Sequence, residues 1–159
     1  MLNVKILCVG NLKEGYLKEA AAEYIKRLSG FCRLEITELK EHKLPDDPSP
    51  TEIEAALREE AERLTAAIPP RAARIALCVE GKQFSSEKLA EKLDGYATSH
   101  GTVCLIIGSS HGLADSIKSA CDLRLSVSEL TFPHQLMRVL LLEVLYRCLN
   151  ISRGTRYHK

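Results

Sequence analysis

Residues Leu105–Lys159 read LIIGSSHGLADSIKSACDLRLSVSELTFPHQLMRVLLLEVLYRCLNISRGTRYHK, and this stretch decides the fold. An apolar strand predicted over Thr102–Ile107 runs into a turn of small residues at Gly108–Gly112. A short helix is then predicted over 115–121, followed by a strand over Leu123–Val127 and a loop rich in hydroxyl side chains. A long apolar helix over Pro133–Leu149 and a short basic tail close the chain.

The residues before this stretch alternate between strand and helix patterns. Strands are predicted over Asn3–Val9, Leu34–Leu39 and Arg74–Val79, and helices over Gly15–Ser29, Pro50–Ala67 and Ser86–Thr98. A turn is predicted at Glu80-Gly81-Lys82. The alternation predicts one α/β domain over residues 1–159, with a mainly parallel sheet of five or six strands and helices on both faces. The continuously apolar Thr102–Ile107 suits the centre of that sheet, and the half-polar Leu34–Leu39 suits an edge.

Composition narrows the function classes. Hydrophobic residues make up 45% and charged residues 27% of the 159 residues, which is typical of a globular chain rather than a disordered one. The net charge of +1 argues against strong indiscriminate attraction to nucleic acid. The six cysteines contain no CxxC pair, so neither a zinc site nor a disulfide framework is predicted. With no signal peptide and no apolar stretch long enough to span a membrane, we expect a cytoplasmic protein without a membrane partner.

Ligands of parallel α/β folds collect at the carboxyl ends of the strands. The first such end, Val9–Lys13, lacks the GxGxxG of a dinucleotide site and the GxxxxGK[ST] of a phosphate-binding loop. Gly108–Gly112 reads G-x-S-x-G between a strand and a helix, the context of a serine hydrolase nucleophile. Asp115, Asp122 and His134 follow in the order of a catalytic triad, but no HGGG segment is present for an oxyanion hole. The competing interpretation is a small-residue turn that lets a ligand approach the backbone closely.

The last predicted helix is apolar around almost its whole circumference. A helix of this kind is buried on nearly all sides, so we expect one flank to meet the sheet and the other a second subunit, with burial by another helix of the same chain as the alternative. Glu143 and Arg147 have the spacing of a helical ion pair. The tail carries Tyr157 among the basic residues Arg153, Arg156, His158 and Lys159. This mixture is compatible with RNA contacts through phosphates and stacked bases, or with a merely solvated terminus.

Several separated motifs together resemble one known family. They are Leu105–Gly108, Gly112-Leu113, Leu125–Ser128, Leu130–Gln135, Arg138-Val139, Glu143, Leu145–Arg147 and Tyr157–Lys159. The chain resembles the RlmH family of SPOUT-class enzymes over essentially its whole length. That family methylates N3 of a pseudouridine in large-subunit ribosomal RNA within assembled ribosomes. The resemblance implies a trefoil-knotted α/β fold, a homodimer and S-adenosylmethionine as cofactor.

The resemblance also implies roles for individual residues. The cofactor pocket would be lined by Leu77, Gly108, Val127, Ser128, Glu129, Leu130, Thr131 and Phe132. From the chemistry of methyl transfer to N3 we expect Arg147 and Tyr157 to position the nucleotide and its phosphate and His158 to accept the proton. From the composition of the basic tail we expect Arg153, Arg156 and Lys159 to contact RNA. One residue departs from the family turn, because Ser109 stands where a second glycine is usual. A side chain there is expected to restrict the backbone, which leaves open a non-catalytic ribosome-binding module that has lost cofactor affinity.

Overall fold

A computed structural model describes all residues from Met1 to Lys159. Its strands are β1 (Leu2–Val9), β2 (Cys32–Leu39), β3 (Ala73–Lys82), β4 (Thr102–Ile107) and β5 (Leu123–Leu125). Its helices are α1 (Gly15–Leu28), α2 (Pro50–Ala67), α3 (Ser86–His100), α4 (Asp115–Ser119) and α5 (His134–Ser152). The predicted order of strands and helices is confirmed, with end points that shift by up to three residues.

The five strands form one sheet in the order β2-β1-β4-β3-β5, and every neighbouring pair is parallel. Strand β4 occupies the centre, as its continuous apolar run predicted, and only Thr102 of its six residues is not fully buried. Strand β2 lies at one edge and alternates between more and less exposed residues. The α/β fold and the parallel sheet are therefore confirmed.

Helices cover both faces of the sheet. Strand β1 directs Ile6 into the larger apolar core, which it shares with α1, α3 and α5, and directs Leu7 into the smaller core against α2 and α4. Successive residues of a strand point to opposite faces, so β1 supplies both cores. Both side chains are fully buried.

Two strands, β3 and β5, end at residues other than those predicted. The predicted turn at residues 80–82 is wrong, because β3 continues through Lys82. A Cβ on Gly81 would lie 2.8 Å from backbone atoms of Arg124 and Leu125, so glycine lets β5 pass closely, and the Ser126 N–H then donates to the Lys82 carbonyl at 3.0 Å. Strand β5 ends at Leu125 rather than Val127. The trefoil knot stays a prediction of the resemblance.

Helix α5 is longer than predicted and packs against two helices of its own chain, α1 and α3. It runs past Leu149 to Ser152, since nothing in the sequence interrupts it before Gly154, which has a left-handed φ of 65°. The apolar flank predicted to meet a second subunit is therefore partly covered within the chain. Five of its apolar residues remain only half-buried: Leu136, Met137, Leu140, Val144 and Ile151. None of the helices combines the length and apolar character needed to cross a bilayer.

Candidate functional site

A cavity of about 760 Å³ opens at the carboxyl ends of the central strands. Three segments form its walls: Leu77–Glu80 from β3, Ile107–Leu113 after β4, and most of Leu125–His134 after β5. Met137 from the first turns of α5 completes it. A parallel sheet is expected to bind its ligand at this edge.

The turn after β4 depends on a glycine. A Cβ on Gly108 would lie 2.2 Å from the Gly112 carbonyl oxygen, so any side chain at this position would displace the turn. The Gly112 N–H donates to the Ser109 carbonyl at 2.9 Å and closes the loop. Ser109 is buried, and its φ lies outside the left-handed region. The restriction expected from Ser109 therefore does not arise, because this backbone geometry suits any L residue.

The loop after β5 is held by hydroxyl side chains. The Ser126 hydroxyl donates to the Ser128 carbonyl at 3.0 Å, and the Ser128 hydroxyl accepts from the Leu130 N–H at 3.0 Å. Serine side chains that bond nearby backbone groups compete with a strand ladder, which explains why β5 stops at Leu125. The loop consequently turns over the cavity instead of extending the sheet.

Seven of the eight residues that the resemblance implies for the cofactor pocket line this one cavity: Leu77, Gly108, Val127, Ser128, Leu130, Thr131 and Phe132. Glu129 lies in the same loop but is not among the lining residues. Among the lining residues that the sequence analysis did not assign to the cofactor pocket are Cys78, Val79, Lys118 and Met137. The signal that could have located the first two was their position at the carboxyl end of a predicted strand.

One ion-pair cluster borders the cavity. The Lys118 ammonium donates to Glu80 at 2.5 Å and lies 3.4 Å from Asp115. The hydrogen bond from Lys118 lowers the pKa of Glu80, and the same bond raises the pKa of Lys118. Both groups are therefore charged at neutral pH and offer a polar border to an otherwise largely apolar cavity. No group of three or more His, Cys, Asp or Glu side chains is arranged to hold a metal ion.

The geometry gives no support to the serine hydrolase alternative. Ser110 lacks the strained backbone of a nucleophile elbow, because Arg71 is the one non-glycine residue with positive φ. Ser110 makes no hydrogen bond to His134. Asp122 accepts from the Arg74 N–H at 2.7 Å, near the amino end of β3 and thus at the opposite edge of the sheet.

The predicted catalytic residues Arg147 and Tyr157 meet at Glu143. Arg147 Nη2 donates to Glu143 Oε1 at 2.6 Å, which confirms the predicted helical ion pair, and the Tyr157 hydroxyl donates to Glu143 Oε2 at 2.8 Å. The Arg147 guanidinium also lies 4.7 Å from the Tyr157 ring centre. Burial, followed by the bond to Glu143, raises the pKa of Tyr157. The tail is thus folded back onto α5.

His158 is held against α3. Its Nε2 lies 2.8 Å from the Glu87 carboxylate, while its Nδ1 is buried and has no hydrogen-bond partner. The backbone N–H of Glu87, and then the bond to His158, lower the pKa of Glu87 to about 2. A carboxylate beside Nε2 favours the tautomer with the proton on Nε2, which leaves the lone pair on Nδ1.

The predicted RNA-binding residues divide into two groups. Arg153 donates to the carbonyls of Gly30 and Phe31 at 2.6 and 3.0 Å, so its guanidinium fastens the tail to the link between α1 and β2. Arg156 and Lys159 are exposed and form no ion pair. Only these two are free to contact another molecule without breaking a contact of the chain.

The tail and the cavity do not meet within one chain. Met137 lines the cavity, and Arg147 lies ten residues further along the same helix, a separation of about 15 Å at the rise of an α-helix. No residue after Met137 lines the cavity. The predicted catalytic residues and the predicted cofactor residues therefore form two separate clusters.

An all-parallel α/β sheet with a ligand cavity at its carboxyl edge, closed by a glycine turn and a hydroxyl-rich loop, defines a class of small-molecule-binding proteins. The comparisons with known proteins narrow that class. The family model described as "Predicted SPOUT methyltransferase" matches residues 2–158. The chain belongs to this SPOUT methyltransferase family.

Similar curated proteins extend over the full length of the chain. Proteins named "Ribosomal RNA large subunit methyltransferase H" are 43% identical in Leuconostoc mesenteroides, 44% in Bacillus pumilus and 46% in Streptococcus thermophilus. Each alignment covers 99% of this chain and 100% of the relative. The similarity thus extends from end to end of both chains.

Two solved structures share the fold at low sequence identity. A probable methylase family protein from Haemophilus influenzae has a TM-score of 0.56 at 14% identity, covering 98% of this chain and 70% of the other. A probable methyltransferase from Bordetella pertussis has a TM-score of 0.56 at 17% identity, covering 92% of this chain and 93% of the other. These likenesses support the fold alone.

Proposed function

We propose that residues 1–159 form a single S-adenosylmethionine-dependent methyltransferase domain that modifies large-subunit ribosomal RNA at N3 of a pseudouridine. The observation that carries the proposal is the cavity at the carboxyl edge, where seven residues matched by the resemblance converge. The name shared by relatives at 43% to 46% identity supports the same substrate class. Because the substrate is the assembled ribosome, we place the protein in the cytoplasm.

The cavity has the size and chemistry that the cofactor requires. Its volume of about 760 Å³ lies within the range of small-molecule pockets. Leu77, Val127 and Phe132 line the cavity and would supply apolar surface for the adenine, and Gly108 would let the cofactor approach the backbone of the turn closely. When bound, S-adenosylmethionine supplies an activated methyl group.

The protein's own residues must orient the nucleotide and remove a proton. N3 of the base carries a hydrogen that has to leave for the N–CH3 bond to form, and His158 is our proposed acceptor. Its Nδ1 has a free lone pair because Glu87 occupies the Nε2 side. Nδ1 is covered in the isolated chain, so the tail has to shift when the nucleotide binds. Arg147 and Tyr157, paired through Glu143, hold the nucleotide in place.

The separation of about 15 Å between Met137 and Arg147 supports a dimer with a shared site. The tail of one subunit does not reach the cavity of its own chain. If a partner subunit packs along the half-buried apolar residues of α5, the tail can reach the partner's cavity instead. Each active site then combines the cavity of one protomer with Arg147, Tyr157 and His158 of the other. Sedimentation equilibrium of the purified protein should give twice the mass of one chain, and a monomer would contradict this arrangement.

Mixed dimers test the shared site directly. We expect His158→Ala to abolish methyl transfer while keeping cofactor affinity, and Gly108→Ala to abolish cofactor binding. Co-refolding the two variants should restore transfer, because one of the two sites in each mixed dimer is intact. If each variant retains no activity and the mixture also has none, the tail acts on its own chain or not at all. Full transfer by His158→Ala at saturating ribosome would refute the proton-acceptor role.

The alternative is a ribosome-binding module without catalysis. It rests on Ser109 in place of a glycine, although the ordinary φ of Ser109 removes the expected strain. Equilibrium dialysis with labelled S-adenosylmethionine separates the two functions. Saturable one-to-one binding favours the enzyme, and ribosome binding without cofactor binding favours the module.

A further inference from the structure

A second groove lies beside the cavity and has no role in the function proposed above. Its volume is about 710 Å³, and it is formed by three loops at the same edge of the sheet. They are the turn after β1 at Gly10–Lys13, the segment Glu38–Pro45 after β2, and Ser110-His111 after β4. Unlike the first cavity it is lined mostly by polar and charged side chains.

The charged side chains of the groove that form no ion pair are mostly positive. Lys13, Lys40 and Lys43 are exposed and belong to no ion pair. Two glutamates also line it, but Glu38 is already neutralised by Arg138, whose Nη1 donates to it at 2.6 Å. The groove therefore presents three unpaired ammonium groups against one unpaired carboxylate, on a chain whose net charge is only +1.

The segment that carries two of these lysines is held in place. The His42 N–H donates to the buried Glu60 at 3.0 Å, and the His42 ring is paired with Glu59. Arg63 Nη1 donates to the Lys40 carbonyl at 2.7 Å. All three partners lie on α2, so the loop is fixed before any ligand arrives, and binding does not have to order it.

Helix α5 holds the other side of the groove, the turn after β1, in place. The Lys13 N–H donates to the Gln135 side chain at 2.9 Å. Arg138, which is 4% exposed, donates to the Gly10 carbonyl at 2.9 Å. Because Gln135 and Arg138 belong to the same helix whose first turns border the cofactor cavity, the groove and the cavity share one rigid support.

The cavity and the groove adjoin at the turn after β4. Ser110 and His111 line both of them. A nucleotide whose base enters the first cavity over this turn has its sugar–phosphate backbone outside it, where the adjoining groove offers three unpaired ammonium groups.

We infer that the groove of Lys13, Lys40 and Lys43 binds the phosphate backbone of the large-subunit RNA strand that flanks the target nucleotide. This inference rests on the proposed function and adds a docking surface to it. The lysines act as phosphate contacts, so they contribute affinity and register without reading sequence. Each contact releases counterions from the RNA, which makes its contribution dependent on salt.

The test compares two triple variants that remove the same charge. One is Lys13→Gln/Lys40→Gln/Lys43→Gln. The control is Lys26→Gln/Arg33→Gln/Arg71→Gln, whose exposed residues lie towards the amino ends of the strands, in the last turn of α1, at the start of β2 and just before β3. Binding to unmodified ribosomes is measured by co-sedimentation over a series of salt concentrations, beside cofactor affinity and single-turnover methyl transfer. Unfolding curves check that all three proteins are folded.

We expect the groove variant to bind ribosomes more weakly and with a shallower salt dependence, by about 2 in the slope of log affinity against log salt. Over a fourfold rise in salt, the wild type should then lose roughly 20-fold more affinity than the variant. The control variant should keep the wild-type slope, and cofactor affinity should stay unchanged in both.

A groove variant with the wild-type slope overturns the inference, whatever its activity. A control variant with the same loss of slope also overturns it, because the effect would then be general to surface charge. Failure of the proposed function looks different, since the wild type would bind ribosomes without transferring a methyl group. In that case too, the salt dependence of ribosome binding shows whether the groove is a docking surface.

Discussion

Replacing Gly108 by alanine tests whether the turn after β4 shapes the cofactor cavity. The added Cβ would lie 2.2 Å from the Gly112 carbonyl oxygen and 2.5 Å from its carbon. Carbon and oxygen atoms that are not bonded to each other lie at least about 3 Å apart in folded proteins, so the turn has to open by nearly 1 Å. It cannot do so locally, because the bond from the Gly112 N–H to Ser109 closes it over only four residues.

The short distances to Gly112 allow the effects of Gly108→Ala on stability and activity to be estimated. Overpacking of this kind costs about 1–3 kcal/mol of folding free energy. In a chain of this length that lowers the melting temperature by roughly 2–4 °C for each kcal/mol. The effect on function is larger, since misplacing a positioned group by about 1 Å can reduce the rate roughly 100-fold. We therefore expect a folded variant with severely weakened cofactor binding and transfer.

Gly95→Ala is the matched control. Gly95 lies on the exposed side of α3, and a Cβ there would meet no atom within 4 Å. This substitution should stabilise the chain by about 0.5–1 kcal/mol, because glycine is unfavourable inside a helix. Isothermal titration with S-adenosylmethionine and urea unfolding measure both variants. Cofactor affinity for Gly108→Ala within twofold of wild type, at an unchanged free energy of unfolding, would refute the role given to the turn.

Two further predictions concern stability and thiol chemistry. Glu38→Leu should lower the free energy of unfolding in urea by about 3 kcal/mol because it leaves the buried Arg138 charge unpaired. Arg138→Met should cost less, about 1–2 kcal/mol, since the half-exposed Glu38 can turn to water, and equal losses would contradict this account. Burial raises the pKa of Cys8 to about 11 and of Cys104 and Cys148 to about 12, so these thiols should resist a thiol reagent at pH 8 until urea is added. Because burial raises these pKa values above the ordinary thiol value of 9.0, the stability that the buried thiols contribute is complete below pH 9 and is lost as the pH rises towards 11–12. Rapid labelling of the native protein would show that these thiols are accessible and would contradict the prediction.

The parallel sheet could be predicted because its signals are local. The apolar run Thr102–Ile107 identified the central strand, and the predicted start of α2 at Pro50 is confirmed, where Ser49 and Glu52 form both reciprocal bonds of a capping box. The end of β3 could not be predicted, because Gly81 belongs to a strand only through the close passage of Leu125, which is distant in sequence. The local pattern Glu80-Gly81-Lys82 is typical of a turn, but the contact with β5 holds these residues in a strand.

The candidate site likewise contains features that could be predicted from the sequence and features that could not. The resemblance named the cofactor residues, and they lie together because they end neighbouring strands, apart from Glu129, whose neighbours in the loop line the cavity while it does not. The commitment of Arg153 to the Gly30 and Phe31 carbonyls could not be foreseen, since a basic tail looks the same whether it is free or bound to its own chain. Nor could spacing alone show that α5 keeps Arg147 away from the cavity of its own chain.

The central claim is that this chain transfers a methyl group to ribosomal RNA, and the most direct measurement is incorporation of labelled methyl from S-adenosylmethionine into unmodified ribosomes. Free ribosomal RNA and isolated subunits are incubated in parallel. We predict label in large-subunit RNA, located at N3 of a pseudouridine, from assembled ribosomes alone. No label from any substrate, with a folded protein that binds the cofactor, would contradict the proposed function.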